Sequence, residues 1–333
     1  MTDSRQELAV PGAAKGTYIM TTRGMIPAEE VRSGDMVLTH TGAWQQVLGV
    51  RRGNGQTVTL TGGGRSLECT ADQKILCRNE DGAIGSWTEA QAAQGMLWAS
   101  PADIEPLPFP VPADRALLNE NVFRIAGAYV AAGTMQDGQV HISVSSEAAR
   151  VLQEAIVCVT KDWMIRETAD GQADLRITSK GLNEWLQDCF GTADKAFPAW
   201  ALGLPDTWRS ALWAGLLDAG AYVGAHDTIT VGAADMKAGL MILLLGQTLG
   251  LQGTVSRAED GRCIIVMARR PKKDHAVWQV INGVSETGAA APVFSFTVAK
   301  DGSFTANGII VQGSPETESG AEITEAEAAA VPA

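Results

Sequence analysis

Two runs, Ile125-Ala-Gly-Ala-Tyr-Val-Ala-Ala-Gly133 and Trp213-Ala-Gly-Leu-Leu-Asp-Ala-Gly-Ala221, constrain the fold of this chain more than any other feature. Each reads as a helix with a glycine among small residues: Gly127 beside Ala126 and Ala131, Gly215 beside Ala214 and Ala219. Removing bulk from one helix face lets a second helix come close, so the pair predicts mutual packing. The runs recur after about ninety residues, a spacing that signals an internal repeat. Helices are expected over Asn121–Ala132 and Trp208–Gly220, and amphipathic helices over Ser146–Thr160 and Met236–Leu249. Strands are expected at Val140–Val144, Leu175–Ile177 and Ile229–Val231, giving helix, strand, helix in each copy.

The flanks have a different character. From Gly12 to Trp98 short β-rich runs follow one another: a strand into a glycine turn, a one-turn helix after Ile26, a Gly-Asp turn at 34–35, then Trp44–Val50, Thr57–Leu60, Leu67–Thr70 and Lys74–Cys77. Many short strands at close spacing predict an all-β unit. Residues 99–115 carry five prolines, which block helix and central strand and predict a linker. Near the other end, Val293–Val298 and Phe304–Val311 read as two strands joined by the turn 300–303. A polar leader over 1–11 and an acidic tail over 315–333, with five Glu and no base, complete the chain.

Composition narrows the function classes. The 333 residues are 45% hydrophobic and 19% charged, a globular balance. Gly246, Gln247 and Gly250 cut the apolar stretch Met241–Leu245 short of a membrane span. The polar N-terminus has no signal-peptide apolar region. Five scattered cysteines without a Cys-x-x-Cys pair predict reduced thiols and neither a disulfide frame nor a zinc site. Net charge is −12, and residues 116–292 hold 19 acids against 15 bases, so DNA binding is possible but disfavoured by charge. The single basic cluster, Arg269, Arg270, Lys272 and Lys273, is read as a phosphate contact or as a solvated loop.

Ordered motifs add a family resemblance over roughly residues 12–314. Ala14-Lys-Gly-Thr17, Val31-Arg-Ser-Gly-Asp, Thr70-Ala-Asp-Gln73, Trp87-Thr-Glu-Ala and the strand pair ending Gln312-Gly313-Ser314 resemble the Hint domain of inteins and hedgehog-type autoprocessing proteins. The two Ala-Gly helices, with the lead-in Lys195-Ala-Phe-Pro-Ala-Trp, resemble the LAGLIDADG helices of homing endonucleases. The fold implied is multidomain. An all-β Hint domain (12–98 and 287–314) is interrupted by a pseudo-twofold α+β LAGLIDADG-like domain (116–286).

The resemblance also says which residues would carry chemistry. Splicing in that family starts with a nucleophile at the position of Gly12, uses a His at Gln73, and ends on His-Asn where Gln312 and Gly313 stand, before Ser314. Position 295, often Asp there, is Ser, and a His expected just before Phe304 is absent. Glycine has no side chain to attack with, and glutamine does not titrate near neutrality. The family's metal-binding carboxylates fall on Ala132 and Gly220, which offer no ligand. Asp218 lies two residues earlier and so points elsewhere on the helix. The expectation is a protein that neither splices itself nor cleaves DNA, with no cofactor or metal. His40, His141, His226 and His275 fall on none of the motif positions and are expected in surface or core hydrogen bonds. Family association with phage and prophage genes implies protein partners or self-assembly in a virion, head–tail region included, located in a bacterial cytoplasm or particle and not at a membrane. A non-cleaving DNA-binding protein is the alternative.

Overall fold

The computed structural model describes residues 10–82, 84–112, 118–224, 227–269 and 276–315. Nine strands come first: β1 (Ala13–Ala14), β2 (Tyr18–Thr21), β3 (Gly24–Pro27), β4 (Met36–Leu38), β5 (Trp44–Gly62), β6 (Arg65–Thr70), β7 (Lys74–Arg78), β8 (Ser86–Glu89) and β9 (Leu97–Pro101). The first copy of the repeat holds α1 (Glu120–Ala132), β10 (Gly133–Gln136), β11 (Gln139–Ser145), α2 (Ser146–Val159), β12 (Trp163–Glu167), β13 (Gln172–Ile177) and α3 (Lys180–Phe190). The second holds α4 (Asp206–Gly220), β14 (Ala221–Val223), β15 (Ile229–Ala233), α5 (Met236–Thr248), β16 (Leu251–Arg257) and β17 (Cys263–Arg269). The chain then returns through β18 (Ala276–Val280), β19 (Gly283–Val298), β20 (Ser303–Ala306) and β21 (Ile309–Gln312). The architecture is thus mostly β-sheet with five described α-helices.

The flanking strands form one antiparallel system in the order β18-β9-β7-β21-β20-β2-β4-β5-β19-β1-β6, with β3 on β2 and β8 on β7. Three expectations change here. The runs Trp44–Val50 and Thr57–Leu60 belong to one strand, because β19 pairs along its length and sets Gly53 opposite Val293 and Gly55 opposite Ala291. Phe304–Val311 is a hairpin and not one strand. Asn307 and Gly308 turn the chain with φ of 47° and 75°, the left-handed pair that a two-residue hairpin loop needs. The return to the β-body precedes residue 287: β18 pairs with β9, and β19 starts at Gly283 opposite Thr61.

Each repeat is richer than helix, strand, helix. Two strands follow each of α1, α2, α4 and α5, and the sheets run β10-β11-β13-β12 and β14-β15-β17-β16, the same order twice. Asn119, Ser145 and Asp235 cap α1, α2 and α5 by accepting backbone N–H groups. The glycine reading of the central helices has a geometric counterpart. A Cβ on Gly127 would lie 1.9 Å from Leu212 O, and one on Gly215 would lie 1.8 Å from Arg124 O. The two contacts are related by one 88-residue offset, 127 to 215 and 124 to 212, so the helix pair is pseudo-twofold at its crossing.

The proline-rich stretch is a packed strap and not a free linker. Its first residues complete β9, and Ile104, Leu107 and Phe109 pack on the helical core. Prolines leave no N–H to satisfy, while the strap's carbonyls serve as acceptors: Trp44 Nε1 donates to Glu105 O at 3.0 Å and Trp185 Nε1 to Pro110 O at 2.9 Å. Residues 113–115 of the expected linker lie outside the described residues. Phe109 sits among Phe123, Trp200 and Trp208.

Arg65 staples the repeat to the β-body. Its guanidinium is buried and donates to Ser100 Oγ (3.0 Å), Gly308 O (2.9 Å) and Gln279 Oε1 (2.7 Å), over the Trp98 ring. Burial lowers its pKa to about 10, so it remains charged at neutral pH. Gln279 Nε2 in turn donates to Gly253 O of β16. The strands by which the chain leaves and rejoins the β-body are thereby tied together. Among the described residues no helix is long and apolar enough to cross a membrane.

Candidate functional site

The sequence-predicted positions of the β-body converge on three consecutive residues of β19. Gly12, just ahead of β1, donates its N–H to Thr70 Oγ1 at 3.1 Å, and Thr70 N donates back to Gly12 O at 3.0 Å. A Cβ at Gly12 would lie 2.7 Å from Phe294 O. At the other end, Gly313 N donates to Gly302 O at 2.8 Å, and a Cβ at Gly313 would lie 2.5 Å from Phe296 O. Between them Ser295 Oγ and Ser314 Oγ share a 2.6 Å hydrogen bond, and Ser314 N donates to Phe296 O at 2.8 Å. Gln73 is buried; its Nε2 donates to Gln312 O at 2.8 Å and to Lys74 O at 3.1 Å. Gly12, Gln73, Gln312, Gly313 and Ser314 are therefore all tied into one region around β7, β19 and β21. The functional groups assembled there are hydroxyls, a carboxamide and backbone amides. None of these groups, contributed by the motif positions and their backbone partners, titrates near neutral pH.

Sequence reasoning missed one member of this neighbourhood. His40, which matched no motif, donates its backbone N–H to Ser303 Oγ at 3.1 Å, and its Nδ1 lies 2.8 Å from the same oxygen. Ser303 pairs across the hairpin with Gln312, and it occupies the position before Phe304 where the resemblance implies a histidine. An imidazole thus reaches that position from a different loop. The nearby Asp301 carboxylate accepts from Thr39 (2.6 Å) and Thr41 (2.7 Å). Burial raises its pKa, but these bonds, with His40 and Lys300 close by, outweigh burial and leave it below the ordinary range. No local signal in the sequence links residue 40 with residues 301–303. The pairing is made by the tertiary fold.

The second set of positions lies at the C-terminal ends of α1 and α4. Ala132 has no ligating atom, and a Cβ on Gly220 would be 2.9 Å from Ala131 Cβ, so any larger residue there must displace its neighbour. Asp218 is turned away and bonds Arg124 Nε at 2.7 Å. Lys195, read from sequence only as part of a lead-in motif, caps this end of α1. Its ammonium donates to Tyr129 O (2.9 Å) and to Gly133 O, lying over the Tyr129 ring, and burial lowers its pKa. A cation at a helix C-terminus offsets the partial negative charge of the unpaired carbonyls. Among the described residues no group of three His, Cys, Asp or Glu side chains is placed to hold a metal.

The two four-stranded sheets present outer faces opposite their helices. Rungs through Ile142 and Leu175, and through Val231 and Ile265, are buried, so the alternate rungs face outward. In the first sheet those rungs carry Arg166, Arg176 and Asp174. Asp174 already accepts from Arg176 Nε at 2.9 Å and lies 3.4 Å from His141 Nδ1. In the second sheet they carry Tyr222, Thr230, Val266 and Thr254, then Gly232, Ile264 and Ser256, with no charged residue among them. Arg269 ends β17 and is exposed; Arg270, Lys272 and Lys273 lie outside the described residues, as do His226 and His275.

No family model matches the chain, and no curated protein matches it. Solved structures of two kinds do. A variant of the Ssp DnaB mini-intein is 11% identical, with a TM-score of 0.37, covering 93% of this chain and 97% of that one. A DnaB intein from Synechocystis sp. is 11% identical at a TM-score of 0.33, covering 92% and 99%. The homing endonuclease I-DmoI, solved in complex with DNA and Mn, is 14% identical at a TM-score of 0.35, covering 45% of this chain and 89% of that one.

Proposed function

We propose that this chain is a catalytically inactive intein- and homing-endonuclease-like protein, kept as a structural or assembly component of a phage particle. The observation that carries the reading is the fit of backbone around the bare positions. Phe294 O and Phe296 O stand 2.7 and 2.5 Å from where side chains at Gly12 and Gly313 would begin. A nucleophile is absent at both ends, and backbone fills the space it would need. The near-neutral outer sheet faces support a protein partner over a phosphate backbone, since tracking DNA takes a cluster of Lys and Arg.

The test is incubation of the full-length chain with thiol, then separately with supercoiled DNA and divalent metal, followed by intact-mass and gel analysis. Unchanged protein mass and uncut DNA are expected, together with stoichiometric incorporation into particles purified from the producing cell. Chain shortening at Gly12 or Gly313, or DNA cleavage, would overturn the inactive reading. Salt-sensitive duplex binding that falls when Arg269, Arg270, Lys272 and Lys273 become Glu would favour the non-cleaving DNA binder instead.

A further inference from the structure

The two repeats have equivalent outer strands, and among the described residues the fold covers one of them and not the other. The rung Gly133, Ile142, Leu175, Ile165 corresponds to the rung Ala221, Val231, Ile265, Val255, so Ile165 of β12 is the counterpart of Val255 of β16. The outer edge of β16 lies against the β-body. Val255 N donates to Gly63 O at 3.2 Å, and Gly253 O accepts from Gln279 Nε2 at 3.1 Å. The edge of β12 has β13 on one side and, among the described residues, no strand on the other. By the same rung the N–H and C=O groups of Trp163, Ile165 and Glu167 point into that open edge. A bare strand edge is a template for another strand.

The residues along this edge say which strand fits. Lys161-Asp-Trp-Met-Ile-Arg-Glu167 laid antiparallel on itself about Met164 sets Lys161 against Glu167, Asp162 against Arg166, and Trp163 against Ile165 of the second copy. Met164, 55% exposed, meets its own mate. Among the described residues none of the four charged side chains is in an ion pair within the chain, and all four are exposed. Centring the pairing on Ile165 forfeits both ion pairs. Centring it on Arg166 sets two guanidinium groups against each other, which is repulsive.

We propose that a second copy of this chain docks edge to edge on β12, joining the two first-repeat sheets into one eight-stranded sheet across a twofold axis. Such an interface is isologous, each residue meeting its complement once in each direction. The proposal rests on the assembly reading above and names its surface.

Sedimentation velocity and light scattering on the full chain at about 0.15 M salt, over roughly 1–100 μM, test it, a range suited to a small interface. The expected result is a rise from the monomer mass to twice that mass. Arg166→Asp or Asp162→Arg alone should weaken association at least ~10-fold, and the double charge swap D162R/R166D should restore it, because the swap preserves complementarity. Unfolding temperatures close to the parent's confirm that these surface variants fold. A parent that stays monomeric, or association indifferent to all three variants, overturns the β12 interface. Association that survives the single variants still leaves assembly through another surface standing, and particle incorporation reports on that separately.

Discussion

Replacing Gly127 by Ala is the sharpest perturbation the helix crossing offers. The added carbon would sit 1.9 Å from Leu212 O and 2.8 Å from Leu216 N, both backbone atoms of α4 that no rotamer change can move. Restoring an ordinary contact requires α4 to retreat by about 1 Å, and a gap of that size forfeits a quarter to a half of the dispersion attraction across the interface. Buried residues on both helices share the loss, among them Phe123, Ala126, Leu212 and Leu216. The expected cost is about 3–5 kcal/mol, above the usual ~1–3 kcal/mol for overpacking because backbone and not side chain is displaced. In a domain of about 150–250 residues that lowers Tm by roughly 6–20 °C, readable by circular dichroism or calorimetry. Gly215→Ala, its pseudo-twofold mate, should cost the same within about 1 kcal/mol, since its Cβ would meet Arg124 O at 1.8 Å. Gly232→Ala is the control: nothing lies within 4 Å of its Cβ position, and the change should stay within about 0.5 kcal/mol. A Gly127→Ala protein that melts with the control would refute the close-crossing argument.

Three further outcomes follow from buried and charged groups. Gln247 is fully buried in α5, with neither amide atom bonded among the described residues. Gln247→Met, nearly isosteric, should stabilise by about 1–2 kcal/mol in denaturant unfolding, and a comparable loss would mean that the amide is satisfied. Cys158 is exposed, while burial raises the pKa of the Cys69 and Cys263 thiols and pushes Cys77 and Cys189 up to about 12. A disulfide-exchange reagent should therefore titrate one fast thiol in the folded protein, lost in Cys158→Ser, because thiolate is the reactive form. Asp301 has a lowered pKa when folded, so the unfolded chain binds its proton first as pH falls, and stability drops as pH passes down through the carboxylate range. Asp301→Asn should flatten that acid limb, and an unaltered slope below about pH 4 would count against the Thr39–Asp301–Thr41 cluster.

Much of the architecture was legible because it is local. The glycine helices, the proline-dense stretch and the strand-rich flanks announce themselves through spacing and composition, and five ends of the candidate site could be named from motifs. Asn307-Gly308 is equally legible, as the dipeptide of a two-residue hairpin loop inside the run Phe304–Val311. Other features had no local mark. Gly53 and Gly55 look like strand breakers until β19 lies along them and sets Val293 and Ala291 opposite. The prolines of the strap look like a tether until Trp44 and Trp185 find their carbonyls.

The sequence by itself determined which residues stand at the motif positions, glycine at 12, 313 and 220, glutamine at 73 and 312, serine at 314 and alanine at 132. Tertiary structure alone decided what surrounds those positions. It laid Phe294 O and Phe296 O against Gly12 and Gly313, brought His40 to Ser303, placed Lys195 at the end of α1, and covered the edge of β16 while setting no strand of the described residues on that of β12. The physical reason is separation along the chain. Side-chain identity and short-range periodicity are local properties, whereas most of these contacts join segments dozens to hundreds of residues apart, brought together only when the core closes.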